Sequence, residues 1–158
     1  MGEASDKRPL RKGVIAIFAN SEQQILVGKR KDIDVWQLPQ GGVDEGESLR
    51  EALVREVREE LGEFQFDIMD TLNEPTVYLF PQELDRPITK AYRGQQQYWF
   101  LCRIQDDTQG PNLDNALDDE FVDLKWDSAQ NILANITPWK HASYQKALSD
   151  FGFVSPSY

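Results

Sequence analysis

Histidine and cysteine are nearly absent from this chain, which contains only His141 and Cys102. A disulfide within the chain is therefore impossible, and the composition fits a reducing compartment. A zinc site built from these residue types is also excluded, because it needs roughly three or four such ligands. Any nucleophile–histidine apparatus would depend on His141 alone, and no serine lies in an elbow motif.

Basic residues are also in the minority, since 17 lysines and arginines stand against 27 acidic residues and give a net charge of −10. Such a chain is a poor candidate for binding a long nucleic-acid backbone, which requires a basic surface. No apolar run approaches the roughly 18 residues that span a membrane. The N-terminal segment MGEASDKRPLRKG lacks the apolar centre of a signal peptide. We therefore expect a cytoplasmic protein that has no membrane partner.

Apolar residues make up 40% of the 158 residues and are spread along the chain, as in globular proteins. The length predicts a single domain, residues 10–158, after a loose polar segment, residues 1–9. Strands on both sides of a central helix predict an α+β sandwich with a mixed sheet. The predicted strands are 14–19 and 25–27, which form a hairpin, a short strand from 36 that leads into a glycine turn at 41–42, and strands at about 65–72, 76–80, 97–104 and 120–126. The predicted helices are 48–61, 128–133 and 138–150. Residues 105–118 are predicted to form a surface loop.

Residues 48–61 are predicted to form the central helix. Ser48 is a typical N-cap, Glu51 stands at the capping-box position, and Gly62 is a typical C-terminal stop. Apolar side chains recur every four residues and predict its buried stripe, which consists of Leu49, Leu53, Val57 and Leu61.

Three glutamates, Glu56, Glu59 and Glu60, share one face of this helix. They cover an arc of about 100° beside the apolar stripe, so their carboxylates would lie partly buried and would repel one another. A hard divalent cation such as Mg²⁺, which prefers oxygen ligands, would make the arrangement favourable. The helix pattern alone also fits an ordinary solvated face, because Glu51 and Arg55 form a standard surface pair.

The spacing of residues around these glutamates is more specific. The segment GGVDEGESLREALVREVREELGE, residues 41–63, resembles the Nudix box: Gly, five residues, Glu, seven residues, then Arg-Glu-aliphatic-any-Glu-Glu-any-Gly-aliphatic. A chance match at the positions occupied here has a probability on the order of 10⁻⁷. The last aliphatic position departs from the pattern, because it holds Glu63, and this departure concerns local packing. The matching residues are Gly41, Glu47, Arg55, Glu56, Val57, Glu59, Glu60 and Gly62.

The resemblance implies the Nudix fold, a mixed sheet between helices, and a metal-dependent hydrolase. It implies that Glu56, Glu59 and Glu60 are ligands of two or more Mg²⁺ ions, for which Mn²⁺ can substitute. The implied reaction is attack by water, activated by the metal, on a phosphorus within a diphosphate linkage. One of the clustered glutamates is expected to act as general base, because its neighbours would raise its pKa. Glu59 is the first choice for this role.

Three further residues of the box receive supporting roles from the resemblance. Arg55 and Glu47 are implied to pair with each other and to orient the loop and the helix of the catalytic site. Gly41 is implied to permit the tight turn before the helix, and it belongs to the predicted metal site.

Outside the box, most of residues 8–148 resemble the branch of bacterial RNA pyrophosphohydrolases and diadenosine tetraphosphate hydrolases. The most telling segment is WQLPQGG at residues 36–42, where other Nudix enzymes more often have Glu-hydrophobic-Pro-Gly-Gly. The other similar segments are Arg8-Pro9, GQQQYWF at residues 94–100, and Asp119-Glu120-Phe121.

Several side chains outside the box receive roles by position in this resemblance. Glu120 resembles an additional metal-binding carboxylate, and Trp139 resembles an aromatic that stacks on the terminal base. Without the resemblance, Glu120 also fits a charged loop end, and the basic residues fit an ordinary surface. The residues that resemble substrate contacts are Arg8, Arg30 and Lys140 for phosphate, with Gln40, Tyr78 and Gln97 near the same pocket.

The sequence leaves the substrate open among three alternatives. The first is the 5′-triphosphate end of RNA, from which pyrophosphate or successive phosphates are removed to leave a 5′-monophosphate, as in RNA decay. The second is a dinucleoside polyphosphate or free nucleotide, and the third is a catalytically silent Nudix-fold binding module. The acidic charge predicts contact with only the triphosphate and the first few nucleotides of an RNA. A monomer and a small homodimer are both compatible with the sequence.

Overall fold

The computed structural model describes residues 6–156, which form a five-stranded sheet, a three-stranded sheet and four α-helices. In chain order the strands are β1 (Leu10–Phe18), β2 (Ile25–Arg30), β3 (Trp36–Gln37), β4 (Gln40–Gly42), β5 (Phe66–Thr71), β6 (Thr76–Leu79), β7 (Gly94–Ile104) and β8 (Phe121–Asp127). The helices are α1 (Leu49–Leu61), α2 (Pro87–Ala91), α3 (Ala129–Asn135) and α4 (His141–Asp150).

The larger sheet is mixed, as the sequence predicts. Its two central strands, β1 and β7, run parallel from the pair Leu10–Gly94 to the pair Phe18–Cys102. Strand β4 is antiparallel to β1, while β5 and β6 are antiparallel to successive parts of β7. The short strand β4 therefore fixes the chain immediately before the loop that leads into α1.

Apolar layers cover both faces of the larger sheet. Alternate residues of β1 point to opposite faces, so Val14 and Phe18 pack with α1 whereas Ile15 and Ile17 pack with α3 and α4. Burial of each such side chain contributes roughly 1.5–3 kcal/mol relative to exposure. Helices on both faces of a mixed sheet confirm the predicted α+β architecture. The helical side chains in these layers include Leu53, Val57 and Leu61 of α1, Ile132 of α3, and Tyr144 and Leu148 of α4.

The hairpin predicted for residues 14–27 is wrong beyond its turn. Asn20 N–H donates to Gln24 O at 3.0 Å, and Ala19 forms a single antiparallel bridge with Ile25. After that bridge the two strands separate, because β2 pairs with β3 and β8 in the smaller sheet. Both edges of β1 are already occupied by β4 and β7. A continuous apolar run predicts a buried strand but does not identify its neighbours.

Helix α1 ends at the predicted residue and begins one residue later than predicted, at Leu49, with Ser48 as its N-cap. Ser48 Oγ accepts from Glu51 N–H at 3.1 Å, and Glu51 Oε1 accepts from Ser48 N–H at 3.0 Å, which completes a capping box. Gly62 has φ of 88°, a value that favours glycine, and its N–H donates to Arg58 O at 3.1 Å. The predicted C-terminal helix is also present, as a 3₁₀ turn (Pro138–Lys140) followed by α4. The sequence patterns missed α2, and they missed β4 within the predicted glycine turn.

The predicted boundary between a loose segment and the domain stays a prediction, since residues 1–5 lie outside the described residues. Residues 6–9 form no helix or strand. Arg93 donates through its backbone N–H to Pro9 O at 3.0 Å and through Nη1 to Arg8 O at 2.7 Å. Between residues 6 and 156, no helix is long and apolar enough to cross a membrane.

Candidate active site

Arg55 attaches the loop between β4 and α1 to the helix. It donates from Nε to Glu47 Oε2 at 2.8 Å and from Nη2 to Glu47 Oε1 at 2.9 Å. Nη2 also donates to the carbonyl oxygen of Gly42 at 2.7 Å. The hydrogen bonds from Arg55 are the main reason that the pKa of Glu47 is lowered to about 2. The pair predicted from the sequence is therefore present, and it fixes the loop relative to α1.

The remaining Arg55 nitrogen, Nη1, reaches two of the three clustered glutamates. It donates to Glu56 Oε1 at 2.8 Å and lies 3.4 Å from each carboxylate oxygen of Glu59. Burial raises the pKa of Glu56 to about 7, and the adjacent Arg55 opposes this increase. The side chain of Glu59 is 34% exposed, so its carboxylate is the more accessible of the two to solvent and ligands.

Glu60 is fully buried, with 0% of its surface exposed. Its Oε1 accepts the backbone N–H of Gln40 at 3.0 Å, while Oε2 has no hydrogen-bond partner among the described residues. Burial raises the pKa of Glu60 well above its ordinary value, and the charges of Glu120 and Glu56 add to the shift. A buried carboxylate oxygen without a partner is unfavourable unless it meets a donor or a cation.

Gly41 leaves the space that the Glu56 carboxylate occupies. A Cβ atom at residue 41 would overlap the carboxyl carbon and both oxygens of Glu56. The backbone has no room to retreat, because Gly41 pairs with Val14 in the ladder between β4 and β1. A larger residue at this position would therefore displace the Glu56 carboxylate from its place beside Arg55.

The chemistry of these residues suits a divalent metal ion. Carboxylate and carbonyl oxygens are the donors that hard cations prefer, and the buried Oε2 of Glu60 needs a partner. Within residues 6–156, however, no three acidic, histidine or cysteine side chains converge closely enough to hold an ion as they stand. In this arrangement Arg55 Nη1 donates to Glu56 and lies 3.4 Å from both carboxylate oxygens of Glu59.

A cavity of about 560 Å³ brings together the acidic face of α1 and most of the predicted substrate contacts. A larger cleft, of about 760 Å³, lies against the loop at residues 107–115 and contains none of the predicted site residues. Acidic and basic side chains of the predicted site meet in the smaller cavity. The predicted residues that line it are Arg30, Gln40, Gly41, Glu56, Glu59, Tyr78, Glu120, Trp139 and Lys140.

Lys140 and Trp139 enter this cavity from the 3₁₀ turn before α4. Only 9% of Lys140 is exposed, and burial lowers its pKa to about 8, with further lowering by Arg30 and Arg86. Its Nζ lies 5.9 Å from the centre of the Tyr78 ring. The indole Nε1 of Trp139 is buried and has no partner among the described residues. Both side chains are thus positioned beside the acidic face of α1.

The polar residues beneath the cavity form a connected layer. Gln97 is fully buried and donates from Nε2 to Gln40 Oε1 at 2.8 Å. Gln97 does not line the cavity itself, so it acts on the cavity by orienting Gln40. Burial raises the pKa of Tyr78, whose hydroxyl has no hydrogen-bond partner in the described part of the chain.

Glu120 and Arg8 have different relationships to this cavity. Glu120 lines it, and burial raises its pKa while the charge of Arg30 opposes that shift. Arg8 does not line it and instead donates from Nη1 to the carbonyl oxygen of Thr89 in α2. The phosphate contact predicted for Arg8 stays a prediction. In the structure its guanidinium contacts the backbone of α2.

Some cavity residues were missed from the sequence. Arg11 packs its guanidinium against Gly42, and Arg86 reaches the cavity from the segment between β6 and β7. Asp32 and Asp118 line the cavity from loops. The sequence patterns identified no helix or strand around Arg86. No spacing rule connects any of these four residues to the Nudix box, so the sequence offered no signal for them.

Curated relatives resemble the chain over nearly its whole length, and residues 9–147 match the family described as NUDIX domain. A protein of Wolbachia pipientis subsp. Culex pipiens, named RNA pyrophosphohydrolase, is 33% identical and covers 95% of this chain and 94% of the relative. A protein of the same name from Cereibacter sphaeroides is 39% identical, covering 90% and 91%. Another, from Rickettsia bellii, is 36% identical and covers 90% of each.

Solved structures have a similar fold at lower identity. The MutT protein from Methanosarcina mazei Go1 gives a TM-score of 0.68 at 20% identity, covering 94% of this chain and 99% of that one. The E. coli dihydroneopterin triphosphate pyrophosphohydrolase gives a TM-score of 0.64 at 18% identity, covering 90% and 99%. At these identities the likeness concerns the fold alone.

Proposed function

The chain belongs to the Nudix family, and from this membership we propose that it hydrolyses the 5′-triphosphate end of RNA, removing pyrophosphate or successive phosphates to leave a 5′-monophosphate. It is an enzyme, a Nudix pyrophosphohydrolase. The support for RNA as substrate is the likeness to proteins named RNA pyrophosphohydrolase, which extends over about nine-tenths of both chains. The alternative of a catalytically silent module is disfavoured, since Glu56, Glu59 and Glu60 are all present.

One observation carries the assignment of the site. A single cavity contains the box glutamates Glu56 and Glu59 together with the cations Arg30 and Lys140 and the aromatic Trp139. Phosphate groups need cations, a reactive phosphorus needs a base, and a terminal nucleotide needs a stacking surface. No other described cavity combines these residues.

Nudix hydrolases in general require a divalent metal ion. We assign its ligands to Glu56, Glu59, Glu60 and Glu120, with the backbone of Gly41 beside them, and the ion as Mg²⁺, for which Mn²⁺ substitutes, in two or more copies. When bound, such ions lower the pKa of water and neutralise charge on phosphate oxygens. The fit rests on the all-oxygen donors and on the buried, unpartnered Oε2 of Glu60.

Glu59 is the proposed proton acceptor for the attacking water. Its carboxylate is the most exposed of the three box glutamates and lines the cavity, so a water can reach it. Glu60 is buried and is bonded to Gln40 N–H at 3.0 Å, which suits a fixed ligand more than a proton acceptor. Arg55 and Glu47 act through positioning, because their bonds hold the loop and Glu56 in place.

The basic and aromatic residues are assigned to the substrate. Lys140 and Arg30 supply positive charge to the phosphates, and Trp139 supplies a ring face to the terminal base. Tyr78 and Gln40 line the same cavity, and Gln97 donates a hydrogen bond to Gln40. Because the chain carries a net charge of −10, contacts are confined to the triphosphate and the first few nucleotides. The cytoplasmic location, and a monomer or small homodimer, stay predictions.

A substrate comparison tests the choice of RNA. We expect kcat/KM for a short 5′-triphosphorylated RNA to exceed the values for diadenosine tetraphosphate and for nucleoside di- and triphosphates, all measured with Mg²⁺. Faster turnover of a free nucleotide or dinucleoside polyphosphate would reject RNA as the main substrate while leaving the hydrolase assignment intact.

A further inference from the structure

Asp32 lies between two arginines at the cavity. Arg30 donates from Nε to Asp32 Oδ1 at 2.8 Å and from Nη2 to Asp32 Oδ2 at 2.6 Å. On the other side, Arg86 Nη1 lies 3.9 Å from the same Oδ2. All three side chains line the cavity that contains Glu56 and Glu59. A carboxylate of the protein itself is therefore paired with two cations that line this cavity.

This pairing has the geometry of a phosphate contact. A two-pronged arginine–carboxylate pair and an arginine–phosphate pair use the same parallel N–H bonds, so the two anions can exchange. The Asp32 side chain is 52% exposed, whereas that of Arg30 is 19% exposed. The carboxylate can therefore turn into solvent, while the Arg30 guanidinium stays at the cavity wall.

Hydrogen bonds with Thr89 fix the backbone of Arg86 at the start of α2. Its N–H donates to Thr89 Oγ1 at 3.2 Å, and Thr89 Oγ1 donates to Arg86 O at 2.8 Å. Thr89 in turn accepts a hydrogen bond from Arg8 through its carbonyl oxygen. The charge of Arg86 contributes, with that of Arg30, to the lowered pKa of Lys140. Arg30, Arg86 and Lys140 all line the same cavity, so their charges act on an anion bound there.

We propose that the Asp32 carboxylate competes with substrate phosphate for Arg30 and Arg86. Arg86 is then a further phosphate-contacting residue, which pairs with Asp32 until phosphate binds. A polyphosphate with several negative charges displaces the Asp32 carboxylate from Arg30 and Arg86 and takes its place. The 5′-monophosphorylated product carries fewer charges than the triphosphate and competes less well, so the returning carboxylate favours its release. This inference rests on the proposed function only in that the ligand is a polyphosphate.

Equilibrium binding of inorganic pyrophosphate in Mg²⁺ buffer tests the proposal for Asp32 without any RNA. We expect Asp32→Asn to bind pyrophosphate roughly fivefold tighter than the wild type, since one partly exposed ion pair no longer has to be broken. The matched control is Asp34→Asn, which removes the same charge from the same loop. Asp34 is 89% exposed, pairs with Lys29 at 3.4 Å and does not line the cavity, so its variant should bind like the wild type.

Arg86 has its own pair of variants. Arg86→Gln should bind pyrophosphate roughly fivefold more weakly, and Lys90→Gln, on the exposed side of α2, should leave binding unchanged. An Asp32→Asn protein with unchanged or weaker binding, or an equal gain in Asp34→Asn, would overturn the role of Asp32. Unchanged binding in Arg86→Gln would overturn the role of Arg86.

Kinetics give a second readout that a purely structural role would not produce. With triphosphorylated RNA, Arg86→Gln should raise KM with little change in kcat, and Asp32→Asn should be inhibited by pyrophosphate at lower concentration. If the wild type does not cleave RNA, the proposed substrate fails, but the pyrophosphate binding series still decides the roles of Asp32 and Arg86.

Discussion

Glu60 Oε1 accepts a hydrogen bond of 3.0 Å from the backbone N–H of Gln40, which joins the acidic face of α1 to strand β4. The other carboxylate oxygen, Oε2, is buried without a partner among residues 6–156. Glu60 therefore has one carboxylate oxygen bonded to the backbone and a second, buried oxygen that a cation would satisfy. This asymmetry separates the effect of a Glu60 substitution on folding from its effect on metal binding.

Replacement of Glu60 by glutamine should remove metal binding without harming the metal-free protein. A neutral amide keeps an acceptor for Gln40 N–H and removes a buried charge, so the metal-free variant should be at least as stable as the wild type. In the wild type, Mg²⁺ at a hundredfold excess over its Kd should raise the free energy of unfolding by about 2.7 kcal/mol. Thermal denaturation with and without Mg²⁺ measures both effects, and Glu63→Gln, at an exposed residue, is the control. Full Mg²⁺ stabilisation of the variant would contradict the ligand assignment.

The exchange of Glu59 for glutamine should mainly reduce the chemical step. Loss of a general base lowers kcat by roughly 10²–10⁴-fold, whereas the fold should be unaffected because the Glu59 side chain is partly exposed. Single-turnover rates with saturating substrate and Mg²⁺ measure this directly, and Glu45→Gln in the preceding exposed loop should retain the wild-type rate. A Glu59→Gln enzyme with full Mg²⁺-dependent activity would overturn the assigned role.

An Arg55→Lys variant should lose both stability and activity. Lysine cannot reproduce the paired bonds to Glu47 together with the bond to Gly42 O, so we expect the free energy of unfolding to fall by about 2 kcal/mol. The loop before α1 would also loosen, which lowers kcat. Urea denaturation and steady-state kinetics provide the two measurements. Arg58→Lys is the control, since Arg58 is half-exposed and has one longer ion pair, 3.6 Å, with Glu63.

Lys140 should make the free energy of unfolding depend on pH between about 8 and 10.5. Burial lowers its pKa in the folded protein to about 8 from a model-compound value of 10.5, so between these pH values the unfolded chain binds the extra proton. Stability therefore rises with pH through this window, and the penalty for the buried charge is complete only below pH 8. Relative to Lys140→Met, the wild type should gain about 3 kcal/mol between pH 7.5 and 10.5.

Urea denaturation of the two proteins at both pH values measures this difference, because other titrating groups are shared and cancel. At pH 7.5 the methionine variant should be the more stable protein. A difference between wild type and variant that does not change with pH would mean that Lys140 titrates normally in the folded state.

The box residues could be predicted because their relationships are local. Helix periodicity alone puts Glu56, Glu59 and Glu60 on one face, and the family spacing added the pair of Arg55 with Glu47. These residues are close in space because they are close in sequence, so no knowledge of the whole fold is needed. The identification of the Nudix fold was correct, whereas the roles assigned to these residues stay predictions.

Residues brought in by long-range pairing were predicted less well. Arg86 reaches the cavity only because β6 and β7 pair and the segment between them folds back over the site, and no sequence period records this. The prediction that β1 and β2 form a hairpin was wrong for the same reason, because the neighbours of a strand depend on pairings with residues far along the chain.

The central claim is that the carboxylates of α1 and the cations of the cavity act together on the 5′-triphosphate of RNA. The most direct test is product analysis with a short RNA labelled in its 5′-triphosphate, incubated with wild type and with Glu59→Gln, with and without Mg²⁺. We predict release of labelled pyrophosphate or successive phosphates and a 5′-monophosphorylated RNA from the wild type only with Mg²⁺, and from Glu59→Gln at a rate roughly 10²–10⁴-fold lower. An intact triphosphate in the complete wild-type reaction, or the same products from Glu59→Gln at the same rate, would contradict this account.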